Sequence, residues 1–217
     1  MNVFTEQVPF LFIPEYGRIC MDQVNRTAGI PVREKLPMYD IVRILCAWLL
    51  CLLSVLFHEL GHALGYRISG GKAGWKVGVG SGPKMFSTSL HTFFLIPAGG
   101  YFIPDEAPET NKAKIFTYAG GPVVSLLQAV LYGVICFCIY SFVRPESSLR
   151  EILLWISRFV LFFNFFQFLF TIIPIRYRVV CRGFDSDGLQ ILHTLKQHKT
   201  PSSDPENQSE WKGGKPE

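Results

Sequence analysis

The chain has 217 residues, 49% hydrophobic and 18% charged, with 19 Phe and a formal net charge of +4. One domain of ordinary size accommodates that length, and the apolar, aromatic balance suits a chain whose solvent is partly lipid. The small positive charge and the lack of any dense Lys/Arg block argue against a nucleic-acid footprint, so no nucleic acid is expected as a partner.

The opening stretch MNVFTEQVPFLFIPEYGR has neither a basic n-region nor a long apolar core, so it does not read as a cleaved signal peptide. Residues 1–38 are expected to form an extramembrane segment. Between Arg43 and Arg67 the only Asp, Glu, Lys or Arg is Glu59, and ILCAWLLCLLSVLF is apolar almost all round. This predicts a first transmembrane helix over about 41–67. Residues 71–104 differ: Gly and Pro punctuate short aromatic and β-branched runs, which predicts a hairpin and a re-entrant return towards the membrane. Segment 105–114 reads as a polar connector. From Ile115 to Val143 there is no charge, and from Ile152 to Ile175 there is one, Arg158. Two further spans, about 115–143 and 152–175, therefore each exceed the ~20 residues that cross a hydrocarbon core. The tail 198–217 is polar and rich in Pro and Gly, and is expected to be disordered. The expected fold is an all-α polytopic membrane protein with its core at 39–197: three core transmembrane helices, with a β-hairpin or re-entrant insertion between the first and second. Cys46, Cys51, Cys136 and Cys138 lie in apolar runs, and no cysteine pair has zinc-finger spacing, so the cysteines read mostly as small packing residues.

In His58-Glu59-Leu60-Gly61-His62 two imidazoles stand one helical turn apart on one face, where both can reach a single metal ion. Zinc suits two neutral nitrogens and a carboxylate, which leave a fourth position for water whose pKa the ion lowers to ~7. Glu59, beside that position, is then a candidate general base. Such side chains near the end of an otherwise uncharged membrane helix are costly unless they face a partner, so function is the default reading. A third protein ligand is needed, and Asp187, Asp185 and His193 are the candidates beyond the third span. On that span Ser157, Asn164 and Thr171 recur every seven residues with Gln167 nearby. Asn164 or Gln167 is thereby a candidate donor to a substrate carbonyl or developing oxyanion; interhelical hydrogen bonds that fix packing are the alternative.

Taken together, these residues resemble the site-2 protease family of intramembrane zinc metalloproteases over roughly residues 40–195. The family's HExxH is similar to His58–His62, its GGY-type turn to Pro97-Ala98-Gly99-Gly100-Tyr101, and its Gly-Pro opening of the second core helix to Ala119-Gly120-Gly121-Pro122. The aspartate of its DG motif maps to Asp187-Gly188, with Pro174 as the upstream proline. Two features depart from the pattern: Thr171 stands where many members carry Asn, and twelve residues lie between Pro174 and Asp187. The resemblance implies a minimal catalytic core in which His58, His62 and Asp187 bind Zn2+ and Glu59 activates water. Its implied substrate is a membrane-anchored transmembrane protein, cleaved within the lipid bilayer.

A peptide bond inside a helix is shielded, so a substrate has to arrive locally unwound, and segment Trp75–Phe94 is expected to offer it a sheet edge. Basic residues near the spans are richer in 67–114 and 176–199 than on the other side, which predicts an active site near the cytoplasmic face. Two rival functions are a non-catalytic zinc-binding scaffold, against which the intact Glu59 argues, and a metal transporter, against which the lack of an inverted repeat argues.

Overall fold

The computed structural model describes residues 38–144, 147–177 and 185–199. The expected N-terminal segment up to residue 37, the tail from residue 200, Cys20 and Cys181 lie outside the described residues. The chain divides into two compact units after Arg43. The described part of the first unit is the start of a helix, where the Arg43 guanidinium lies 4.4 Å from the centre of the Tyr39 ring. In chain order the elements are α1 (Met38–Ile68), β1 (Trp75–Ser87), β2 (His91–Pro104), α2 (Asn111–Phe142), α3 (Ser148–Ile172) and α4 (Asp187–Lys199).

Helices α1, α2 and α3 are long and apolar enough to cross a membrane. Their side chains reverse the pattern of a water-soluble protein. Leu49 and Phe57 on α1, Leu127 and Phe137 on α2, and Phe166 and Phe170 on α3 are exposed, while Ser54, His58, Ser125 and Asn164 are buried. That distribution is stable where hydrocarbon surrounds the helices and the polar groups face one another.

The helix limits differ from the sequence expectation for local reasons. The Thr110 side chain accepts the Ala113 N–H, and this cap draws Asn111–Lys114 out of the polar connector into α2. Pro122 therefore lies inside α2 and does not open it. Helix α3 stops at Ile172, because Ile173 ahead of Pro174 is extended.

Helices α1 and α2 meet backbone to backbone. A Cβ on Gly61 would lie 2.5 Å from the Gly120 carbonyl oxygen, and one on Gly65 would overlap that of Phe116. Small residues at a four-residue interval let two membrane helices approach this closely.

The strands form an antiparallel two-stranded sheet whose register is broken by bulges. As a result Val77–Val79 stands between two stretches of β2: Val77 is opposite both Phe102 and His91, and Val79 is opposite both Gly100 and Phe93. Val77 and Val79 are 1% and 0% exposed and pack with Leu52 and Val55 of α1. The Trp48 indole N–H also binds the hairpin to α1, through the Leu95 carbonyl at 2.7 Å. The expectation of an open edge along Trp75–Phe94 is narrowed accordingly, since within it Val77–Val79 and Thr92–Phe93 are paired on both sides. Among the described residues the one-sided stretches include 75–76, 84–87 and 100–104.

Candidate metal centre

His58, Glu59 and His62 are buried in the C-terminal half of α1, with the two imidazole centroids 5.0 Å apart. Helix α2 holds both rings. His58 Nδ1 lies 2.8 Å from Ser125 Oγ, and His62 Nδ1 lies 2.8 Å from the Thr117 carbonyl. Thr117, Gly121 and Ser125 succeed one another at four-residue intervals and so share one face of α2. A carbonyl only accepts, so His62 carries a proton on Nδ1, and the neutral ring then has its lone pair at Nε2. Gly121 lies between the two anchors. A Cβ there would overlap His62 Nε2 and stand 2.7 Å from His58 Nε2, so the space beside these atoms exists because residue 121 has no side chain.

Asp187 opens α4, and its Oδ2 lies 3.4 Å from His58 Nε2 and 3.6 Å from His62 Nε2. Gly188 permits this approach, because a Cβ on it would overlap the Ile172 carbonyl at the end of α3. One atom from each of His58, His62 and Asp187 lies within 4.8 Å of the others. In the neutral form of His62 its Nε2 lone pair and a carboxylate oxygen face the same space, and that donor set fits zinc. Asp185 is turned elsewhere: its carboxylate accepts from Arg176 at 2.6 and 3.2 Å. That hydrogen bond and its charge raise the Arg176 pKa. His193 Nδ1 is 3.9 Å from Asp185 Oδ2. Of the three candidates for a third ligand, Asp187 is the one brought to the imidazoles.

Glu59 rests against β2, where a Cβ on Gly100 would overlap its Oε1. Gly99, with φ of 74°, makes the backbone corner that brings Gly100 there. Phe102 stacks on His62 with centroids 6.4 Å apart, so the 100–102 stretch runs beside the cluster.

Asn164 is 0% exposed, and its Nδ2 donates to Ser54 Oγ at 3.1 Å and to the Val160 carbonyl at 2.9 Å. Both amide hydrogens are engaged and its Oδ1 has no partner, as is also true of Gln167 Oε1. Asn164 thus offers an acceptor in this arrangement, and its bond to Ser54, one turn before His58, ties α3 to α1. Ser157 and Thr171 bond back to their own helix, at Leu153 and Gln167. Sequence reasoning missed Ser54, Thr117, Ser125 and the spacing role of Gly121. The available signal was the run of small and polar residues at four-residue intervals on an apolar helix.

Apolar helices hiding an HExxH pair and a third acidic group are the make-up of a membrane metalloprotease. A family model described as peptidase family M50 matches residues 46–204, and the chain belongs to that family, the site-2 protease family. Its members are zinc metalloproteases that act within the membrane. No curated protein matches the chain.

Proposed function

We propose that the protein is a zinc-dependent endopeptidase that cleaves a membrane-anchored transmembrane protein within the bilayer, with His58, His62 and Asp187 as metal ligands and Glu59 as general base. The observation that carries this reading is the convergence of two Nε2 atoms and the Asp187 carboxylate within 4.8 Å. When bound, zinc supplies the Lewis acidity that polarises a scissile carbonyl and makes water nucleophilic near neutral pH. The remaining work falls to the chain. Ser125 and Thr117 hold the imidazoles in one orientation. Glu59, pressed against Gly100 and shielded from bulk solvent, takes a proton from water and passes it to the leaving amine. The open side of 100–104 adjoins the site, and an unwound substrate adds there as a further strand. The length and apolarity of α1, α2 and α3 support three crossings of a core at 39–197, and the basic bias of 67–114 and 176–199 supports a site near the cytoplasmic face.

The test is zinc content and cleavage of a helical membrane substrate in detergent or liposomes, for wild type and Glu59→Gln side by side. The variant is expected to keep its zinc and lose ~10² to 10⁴-fold in rate, the usual contribution of a general base. If Glu59→Gln cleaves like wild type, or wild type holds zinc and cleaves nothing across a broad substrate set, a scaffold role replaces the protease.

A further inference from the structure

Helix α3 ends at Ile172 and α4 begins at Asp187, yet these ends touch, since Gly188 lies against the Ile172 carbonyl. The chain leaves α3 and returns through a narrow neck. Arg176 and Asp185 close that neck as an isolated β-bridge and as a two-pronged ion pair. Next to them, immediately before Asp187, Ser186 is 3% exposed. Its N–H donates to the Ile175 carbonyl at 2.9 Å. Its hydroxyl donates to the Ile173 carbonyl at 2.7 Å and accepts from the N–H groups of Ile175 at 3.0 Å and Leu189 at 3.2 Å. One hydroxyl thereby fills its donor and both acceptor positions, joining the end of α3 to the first turn of α4.

A helix of 13 residues is marginal in isolation, so α4 depends on outside contacts for its placement. We propose that Ser186 is a positioning residue of the metal centre, fixing the backbone of Asp187 against the end of α3 so that its carboxylate faces both imidazoles. This rests on Asp187 being the third ligand. The bond to Leu189 caps α4 at the N–H three residues on, and the bonds to Ile173 and Ile175 set where that helix starts. Removing the hydroxyl frees both constraints at once, next to the ligand.

The test uses the full chain purified metal-free in detergent, with Co2+ as the probe. Affinity is read by competition with a chelator, ligand geometry by the ligand-field bands of bound Co2+, and folding by helix content without metal. Ser186→Ala is expected to lose ~10 to 100-fold in affinity, the usual cost of disturbing a ligand's support, and to shift the bands at unchanged helix content. Ser186→Thr keeps the hydroxyl and restores both. Asp187→Ala is measured alongside: wild-type affinity in that variant removes Asp187 from the ligand set, and the proposal falls with it. If Asp187→Ala loses Co2+ while Ser186→Ala keeps wild-type affinity and bands, the positioning role is overturned and the ligand assignment stands. Should Ser186→Ala not fold, Ser186→Cys, with its weaker hydrogen bonds, takes its place: weakened Co2+ binding with shifted bands supports the positioning role, and wild-type affinity and bands overturn it.

Discussion

The absence of one methyl group at Gly121 keeps the space beside both imidazole Nε2 atoms clear. Gly121→Ala is therefore expected to weaken zinc binding by ~10-fold or more, as loss of ligand geometry does. Gly133→Ala on the same helix is the control, because its Cβ would meet only Leu161 Cδ1 at 3.8 Å. That variant should keep its zinc and gain roughly 0.5 to 1 kcal/mol from the better helix former. Zinc retained after dialysis against a buffered zinc solution separates the two, and equal retention would mean that Gly121 is only a packing residue. At this scale the HELGH pair stood out in the sequence because its imidazoles lie one turn apart in a single helix, and the helix-start position and DG resemblance pointed to Asp187, which the fold brings to those imidazoles. The supports of the imidazoles and of α1 were not legible. Ser125, Thr117 and the Ser54–Asn164 pair act across 67, 55 and 110 residues of sequence, and nothing local marks which hydroxyl of an apolar helix faces a neighbour.

The hairpin has two exposed edges, and only one of them adjoins the site. In Glu59→Gln protein, a photocrosslinking residue at Ile103, on the 100–104 edge, should capture a helical membrane substrate. The same residue at Lys84, on the opposite edge, should not. Capture at Lys84 alone would move substrate binding away from Glu59. The existence of the three apolar helices followed from their long uncharged runs, but their limits shifted where a cap at Thr110 or the restriction ahead of Pro174 decided the last turns. The doubled pairing of Val77–Val79 could not be read in advance. A Gly-rich, weakly alternating strand specifies register poorly, and its partner stretches are fixed only once β2 turns back between Phe93 and Gly100.

Across the whole molecule, the cluster links α1 to α4, elements that the intervening sheet and helices separate in sequence. A metal bound there stabilises the assembled state, by about 4 kcal/mol at a free concentration a thousand times its Kd. A chelator should therefore lower the melting temperature of wild type and leave that of Asp187→Ala unmoved; equal drops in both would place the stabilising ion elsewhere. For the three-crossing arrangement, cysteines introduced at 105–110 and near the C-terminus should label from one side and those at 147–149 from the other. Labelling of 105–110 and the C-terminus from opposite sides would remove one crossing. The same linkage orders biosynthesis. Translation delivers the HELGH pair early and the carboxylate near the end of the described chain. On the three-ligand reading, a polypeptide synthesised only as far as the end of α3 has two imidazoles, a base and no complete site.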